Sequence, residues 1–136
     1  MPGEVAIERF RKARVAHLAT ASSEAQPHVI PVTFAVADDL RIYIAIDHKP
    51  KTTRNLRRLR DIQANPAVSM IVDHYDEDWT YLWWTRADGT AAILETPRDM
   101  DAPIDLLVAK YPQYQRIRPE GPVIAMQPTR WLNWTA

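Results

Sequence analysis

The feature of this chain that most limits how it can fold is a stretch of alternating apolar residues between positions 28 and 46. Ile30, Val32, Phe34 and Val36 fall on one face of an extended segment, and Val29, Pro31, Thr33 and Ala35 take the other. That period of two belongs to a strand and to no helix. Beyond Asp38-Asp39 the pattern resumes: Leu40, Ile42, Ile44 and Ile46 oppose Arg41, Tyr43 and Ala45. Two such runs joined by a short polar link predict a β-hairpin. Pro31 has no N–H to give to a ladder, so its strand is expected at an edge or at a bulge.

The rest of the chain alternates between the two periods. Val5, Ile7 and Phe10 predict a short helix up to about Arg14, and residues 17–21 a first strand before the turn-like stretch 22–27. After a loop at 47–51, Leu56, Leu59 and Ile62 recur every three residues and predict a helix over 52–64. Arg54, Arg57, Arg58 and Arg60 are placed largely on its remaining faces, with Thr52 or Thr53 as cap and Asn65-Pro66 as the stop. Residues 67–75 read as a strand. Asp88-Gly89 reads as the turn of a hairpin between strands at 81–87 and 90–95. Thr96-Pro97 opens a helix with an apolar stripe of Met100, Ile104, Leu107 and Val108, and 123–127 is a last strand. The expected fold is therefore mainly β with flanking helices: a largely antiparallel, closed sheet of six to seven strands in a single domain over 1–136.

Composition narrows the chemistry. The 136 residues include no cysteine, which removes disulfides, thiolate nucleophiles and cysteine-bound metals together. No run of about 18 apolar residues is present, so a cytoplasmic location and no membrane partner are expected. Lys plus Arg and Asp plus Glu both number 17. The overall field therefore selects no nucleic-acid partner. With glycine only at positions 3, 89 and 121 there is neither a P-loop nor a dinucleotide fingerprint. Ser22, Ser23 and Ser69 lie in no nucleophile elbow. A metal at His74 to Asp78 is not expected, because a polar loop explains those residues more simply.

Six of the 17 basic residues fall between Lys49 and Arg60. That segment leaves a strand, crosses a loop and opens a helix whose first turn has unpaired N–H groups, a natural place for a phosphate. Lys49, Lys51, Thr52, Thr53 and Arg54 form the candidate seat, with His48 beside it; a solvated basic helix face with a capping threonine is the competing explanation. Trp83 and Trp84 are adjacent in an expected strand and so point to opposite faces. One can fill the barrel, while the other needs a cofactor ring or a second subunit, or lies half exposed.

Several stretches in this order and spacing resemble one family. They are His17-Leu18-Ala19-Thr20, Gln26-Pro27-His28-Val29-Ile30-Pro31-Val32-Thr33-Phe34, Asp47-His48-Lys49-Pro50-Lys51, Asn65-Pro66-Ala67-Val68-Ser69-Met70, Arg86-Ala87-Asp88-Gly89-Thr90-Ala91 and Thr129-Arg130-Trp131. The chain resembles the pyridoxamine 5'-phosphate oxidase-like split β-barrel proteins, and within them the deazaflavin-dependent oxidoreductases. The resemblance implies a homodimer with cofactor sites at the subunit interface. It puts the cofactor phosphate on Lys49, Lys51 and Arg54. The ring system then lies against Pro31, Val32, Thr33 and Phe34 and the region from Ile44 to Asp47, and Trp83 or Trp84 closes the pocket. The implied activity is hydride transfer to or from a small organic substrate, with the protein supplying position and electrostatics. Coenzyme F-420 is the cofactor that the resemblance to the deazaflavin-dependent subgroup implies, and Arg57, Arg58 and Arg60 would suit its longer anionic tail if they face the groove. FMN is the alternative, as is a non-catalytic flavin-, deazaflavin- or haem-binding protein.

Overall fold

The computed structural model describes residues 3–46 and 57–136. Helix α1 (Glu4–Lys12) precedes strands β1 (Ala16–Ala21), β2 (Pro27–Val32), β3 (Ala35–Val36) and β4 (Ile42–Ala45). Helix α2 (Arg57–Ala64) and β5 (Ala67–His74) follow, then a 3₁₀ turn at Trp79–Tyr81 and β6 (Trp83–Leu94). Helices α3 (Pro97–Lys110) and α4 (Pro112–Arg116) and strand β7 (Val123–Thr135) complete the chain. The seven strands form one antiparallel sheet in the order β2-β1-β5-β6-β7-β4-β3. It is a mainly β fold, a curled half-barrel of the split β-barrel kind flanked by helices.

The curl follows from connectivity. β2 and β3 stand at opposite ends of the sheet order, yet only Thr33 and Phe34 separate them in the chain. Three Cα–Cα steps span at most about 11 Å, so the two edges must approach each other. They are not hydrogen-bonded, and that gap is the split.

Two expectations about strands are corrected. The single strand expected across 28–36 is broken at Thr33 and Phe34, where the chain passes from one edge to the other. Pro31 accordingly lies on an edge strand, as its missing donor requires. Asp88-Gly89 does not turn a hairpin either. β6 runs through it as 12 continuous residues, with a bulge between Asp88 and Gly89 where it pairs with β7. A Cβ at Gly89 would collide with the Gln127 carbonyl, so glycine serves close backbone approach here. Asp88 is meanwhile held by Arg86 and Ser69 rather than by a turn.

Alternation along the strands fills the inside of the curl. Leu18, Ile42, Met70, Ile124 and Met126 are all buried there. Phe10 of α1 enters among them, with its ring 5.1 Å from Phe34 and 5.2 Å from Trp131. A second cluster, including Met100, Ile104, Leu107 and Val123, lies beneath α3. That helix begins as expected: the Thr96 side chain accepts from the Asp99 N–H and Pro97 is its first residue. α2 packs on β1 and β6. It is anchored by the buried Asp61, which accepts from the Thr20 hydroxyl at 3.0 Å and lies 3.8 Å from Arg57 Nε. Among the described residues, no helix is long and apolar enough to cross a membrane.

Candidate functional site

The passage from β2 to β3 is the irregular backbone of the fold, and a cavity of about 300 Å³ lies beside it. Pro31, Val32 and Thr33 form one wall, and Ile44 and Ala45 of β4 another. These are the stretches against which the resemblance sets a ring system. The remaining wall comes from Arg58 on α2 and from Tyr111, Gln113 and Tyr114 at the junction of α3 and α4.

Arg58 stands one turn before Asp61 and Ile62, on the side of α2 that faces the sheet. Its Nε is buried and has no hydrogen-bond partner among the described residues, and burial pulls its guanidinium below the usual arginine value. A buried donor without an acceptor costs about 1–3 kcal/mol. Such a group at a cavity wall is set for an anionic or carbonyl oxygen that enters from outside. The expectation that the arginines of this helix lie on its outer faces is thus corrected for Arg58. The period-three stripe could not reveal this, because an arginine directs its charge far from its own backbone position.

Two hydroxyls converge opposite. Thr33 Oγ1 and Tyr114 Oη lie 3.0 Å apart. One proton satisfies that pair, so the second hydroxyl is left a proton to donate into the cavity. Tyr111 does a different job: its hydroxyl accepts from Phe34 N–H at 3.1 Å and lies 2.9 Å from the Arg14 carbonyl and 3.1 Å from the Phe34 carbonyl. It therefore pins the β2–β3 passage to the end of α3. Burial, foremost, raises its pKa and keeps the phenol protonated. Nothing in the sequence marks Tyr111, Gln113 and Tyr114 as residues of a site. The only signal was a pair of tyrosines three residues apart in a proline-rich stretch, which carries little meaning until the chain folds back to β2.

His48, Lys49, Lys51, Thr52, Thr53 and Arg54 lie outside the described residues. Pro31, Val32 and Thr33 come together at the cavity. Trp83 and Trp84 do not line it within one chain. Trp83 stacks on His74 with ring centres 6.0 Å apart and has the Arg9 guanidinium 5.1 Å from its centre; it stays half-buried and lines a separate hollow of about 360 Å³ with them. Trp84 lies on the other face of the sheet, under Arg86 at 5.9 Å. Among the described residues no group of three His, Cys, Asp or Glu could hold a metal ion.

Comparison with known families decides the ancestry of this arrangement: the profile of pyridoxamine 5'-phosphate oxidase matches residues 4–135. The chain belongs to that family. No curated protein sequence matches the chain. Among solved structures, this pyridoxamine 5'-phosphate oxidase family member is similar to a conserved hypothetical protein of Mycobacterium tuberculosis. That pair shares 20% identity and a TM-score of 0.78, over 99% of this chain and 86% of the other. It is also similar to HutZ, the haem storage protein of Vibrio cholerae, at 18% identity and a TM-score of 0.74, over 99% and 95% of the two chains. A FAD-binding protein of Mesorhizobium loti matches at 19% identity and a TM-score of 0.69, over 98% and 94%. At such identities the likeness concerns the fold alone, which a haem storage protein and a FAD-binding protein both share.

Proposed function

We propose that the cavity beside the β2–β3 passage receives the ring system of a flavin-type cofactor, with coenzyme F-420 preferred over FMN, and that the protein is an oxidoreductase. The bound cofactor supplies hydride transfer to or from a small organic substrate. The observation that carries this reading is the buried Arg58 Nε, unpartnered among the described residues, at the wall of a cavity that also offers the apolar surface of Pro31, Val32, Ile44 and Ala45.

The residues present fit such a group. At about 300 Å³ the cavity is at the lower end of the roughly 300–1,000 Å³ usual for ligand sites, enough for a ring system but not for a long anionic tail. Pro31, Val32, Ile44 and Ala45 offer apolar surface that excludes water. Arg58 and the Thr33–Tyr114 pair offer donors to ring oxygens. The phosphate is assigned to Lys49, Lys51, Thr52, Thr53 and Arg54, with His48 close by, and the tail to the basic side of α2.

A homodimer completes the proposal. On the outer face of the sheet, register places His17, Ile71, Arg86 and Leu132 in one row and Asp73, Trp84 and Trp134 in another. Trp134 is 45% exposed there. A second copy covering this face would bury those side chains and bring an aromatic such as Trp84 toward a neighbouring site.

The test is a fluorescence titration of the purified protein with F-420 and FMN side by side, followed by turnover of the reduced cofactor with a panel of acceptors. F-420 is expected to bind more tightly, and Arg58→Ala to weaken it by about 1–3 kcal/mol, the loss of a charged hydrogen bond. Tighter FMN binding would reassign the cofactor. Binding without turnover would make the protein a carrier. An unaltered affinity in Arg58→Ala would remove the cavity from the site.

A further inference from the structure

A second hollow, of about 360 Å³, lies where the ends of α1 and α3 meet β3, and it shares no residue with the cavity above. Arg11, Lys12, Arg14 and Lys110 stand around it, and Val36 and Leu106 contribute apolar surface. Part of this charge has a purely structural use. Arg14 donates to the Lys110 carbonyl at 2.9 Å and Lys110 Nζ to the Arg11 carbonyl at 3.0 Å, so each helix end receives a cation from the other.

Arg11 Nη1 likewise donates to the Val36 carbonyl at 2.7 Å, but bonds to neutral carbonyls leave the net charge in place. Among the described residues, Glu8, which pairs with Arg11 at 3.0 Å, is the one carboxylate bonded to these four cations. Lys12 sits exposed on the rim. Aromatic faces help hold the cationic ends of the other two: Lys110 Nζ is 3.8 Å from the centre of Phe34, and the Arg14 guanidinium is 4.7 Å from that of Tyr111. Two of the three Lys110 ammonium protons go to the Arg11 and Phe34 carbonyls, which leaves one to donate. Burial first, then the nearby Arg14 and Arg11, lower its pKa to about 8. Burial is the main cause, and the neighbouring positive charges act in the same direction.

We propose that this hollow binds a small carboxylate with an apolar body, its head among Lys12, Arg14 and Lys110 and its body on Val36 and Leu106. The head brings negative charge to cations of which Arg11 alone has a carboxylate partner among the described residues, and the body covers the 37% of Leu106 that faces water. Inorganic anions could use only the first of these contributions. The proposal does not rest on the cofactor reading: no residue lines both hollows, although Tyr111, a wall of the first, also lies beneath Arg14 of the second.

Octanoate, kept below its micellar range, is the probe, and the lysine ammonium signals of the full-length protein in NMR are the readout. Octanoate is expected to bind saturably and to move the Lys110 pKa upward from about 8. Lys12→Glu and Leu106→Glu are expected to weaken binding about tenfold, and Arg98→Glu, on an exposed turn at the far end of α3, to leave it unchanged. Lys12 and Leu106 lie outside the core, so both variants should keep the wild-type circular dichroism. An unmoved Lys110 at high octanoate would overturn the proposal. So would acetate or inorganic phosphate binding as tightly as octanoate, or a Leu106→Glu variant that binds like wild type.

Discussion

At the scale of single residues, Tyr111 shows how one side chain sets the shape of the cavity. Its hydroxyl serves both the N–H and the carbonyl of Phe34, the residue where the chain leaves β2 for β3. Tyr111→Phe keeps the ring but leaves the Phe34 N–H buried and unpaired. We expect a loss of about 1–3 kcal/mol, read as a lower urea midpoint with an unchanged slope. An unshifted midpoint would mean that the passage is held by other contacts. The phenol's raised pKa also gives a sign for alkaline pH. The folded state holds this proton more firmly than the unfolded chain. Its contribution is complete below the ordinary tyrosine value of 10.0 and is lost as pH rises through the higher folded value. Neither role was legible in the sequence, where Tyr111 stands in a proline-rich stretch with no periodicity to mark it. Thr33 was legible as a strand residue near the site, but its partner Tyr114 was not, since 81 positions separate them.

The bulge in β6 is the clearest case at the scale of elements. Asp-Gly between two apolar runs is a sound hairpin signal in isolation, yet it is overridden here by 12 residues of pairing with β7. Gly89→Ala should cost about 1–3 kcal/mol, because the new Cβ meets the backbone of Gln127 and Pro128 rather than a side chain that can rotate away. Thermal denaturation checks this; a variant as stable as wild type would show that the two strands can separate locally at little cost. Asp88 beside it accepts from Arg86 at 2.9 and 3.1 Å and from Ser69 at 2.7 Å. Burial works to raise its pKa, but the bonds from Arg86 and Ser69 outweigh that and leave it lowered. Asp88 therefore stabilises the fold above the usual carboxylate value of 3.8 and loses its contribution as pH falls through the folded value. The stability gap between wild type and Asp88→Asn should shrink on acidification. A constant gap would locate the effect in packing instead. Helix α3, by contrast, was readable at its start, because Thr96 and Pro97 act locally and need no distant partner.

Taken as a whole molecule, the sheet has one face turned into the core and another carrying Ile71, Trp84, Leu132 and Trp134 among charges. If two copies meet there, Leu132→Lys combined with Ile71→Lys should shift the protein to the monomer mass in analytical ultracentrifugation. Those positions are not in the core, so the shift should come without loss of fold. A wild-type chain that sediments as a monomer would end the proposal that the site is shared between subunits. Alternation of apolar residues, the edge proline and the helix caps were set by short-range chemistry, and the sequence alone was sufficient to predict a mainly β chain with flanking helices. Strand order, the break at Thr33-Phe34, the bulge at Gly89 and the inward turn of Arg58 arose only on folding. Each depends on contacts between segments far apart in the chain, and local periodicity carries no record of which distant surface a side chain will meet.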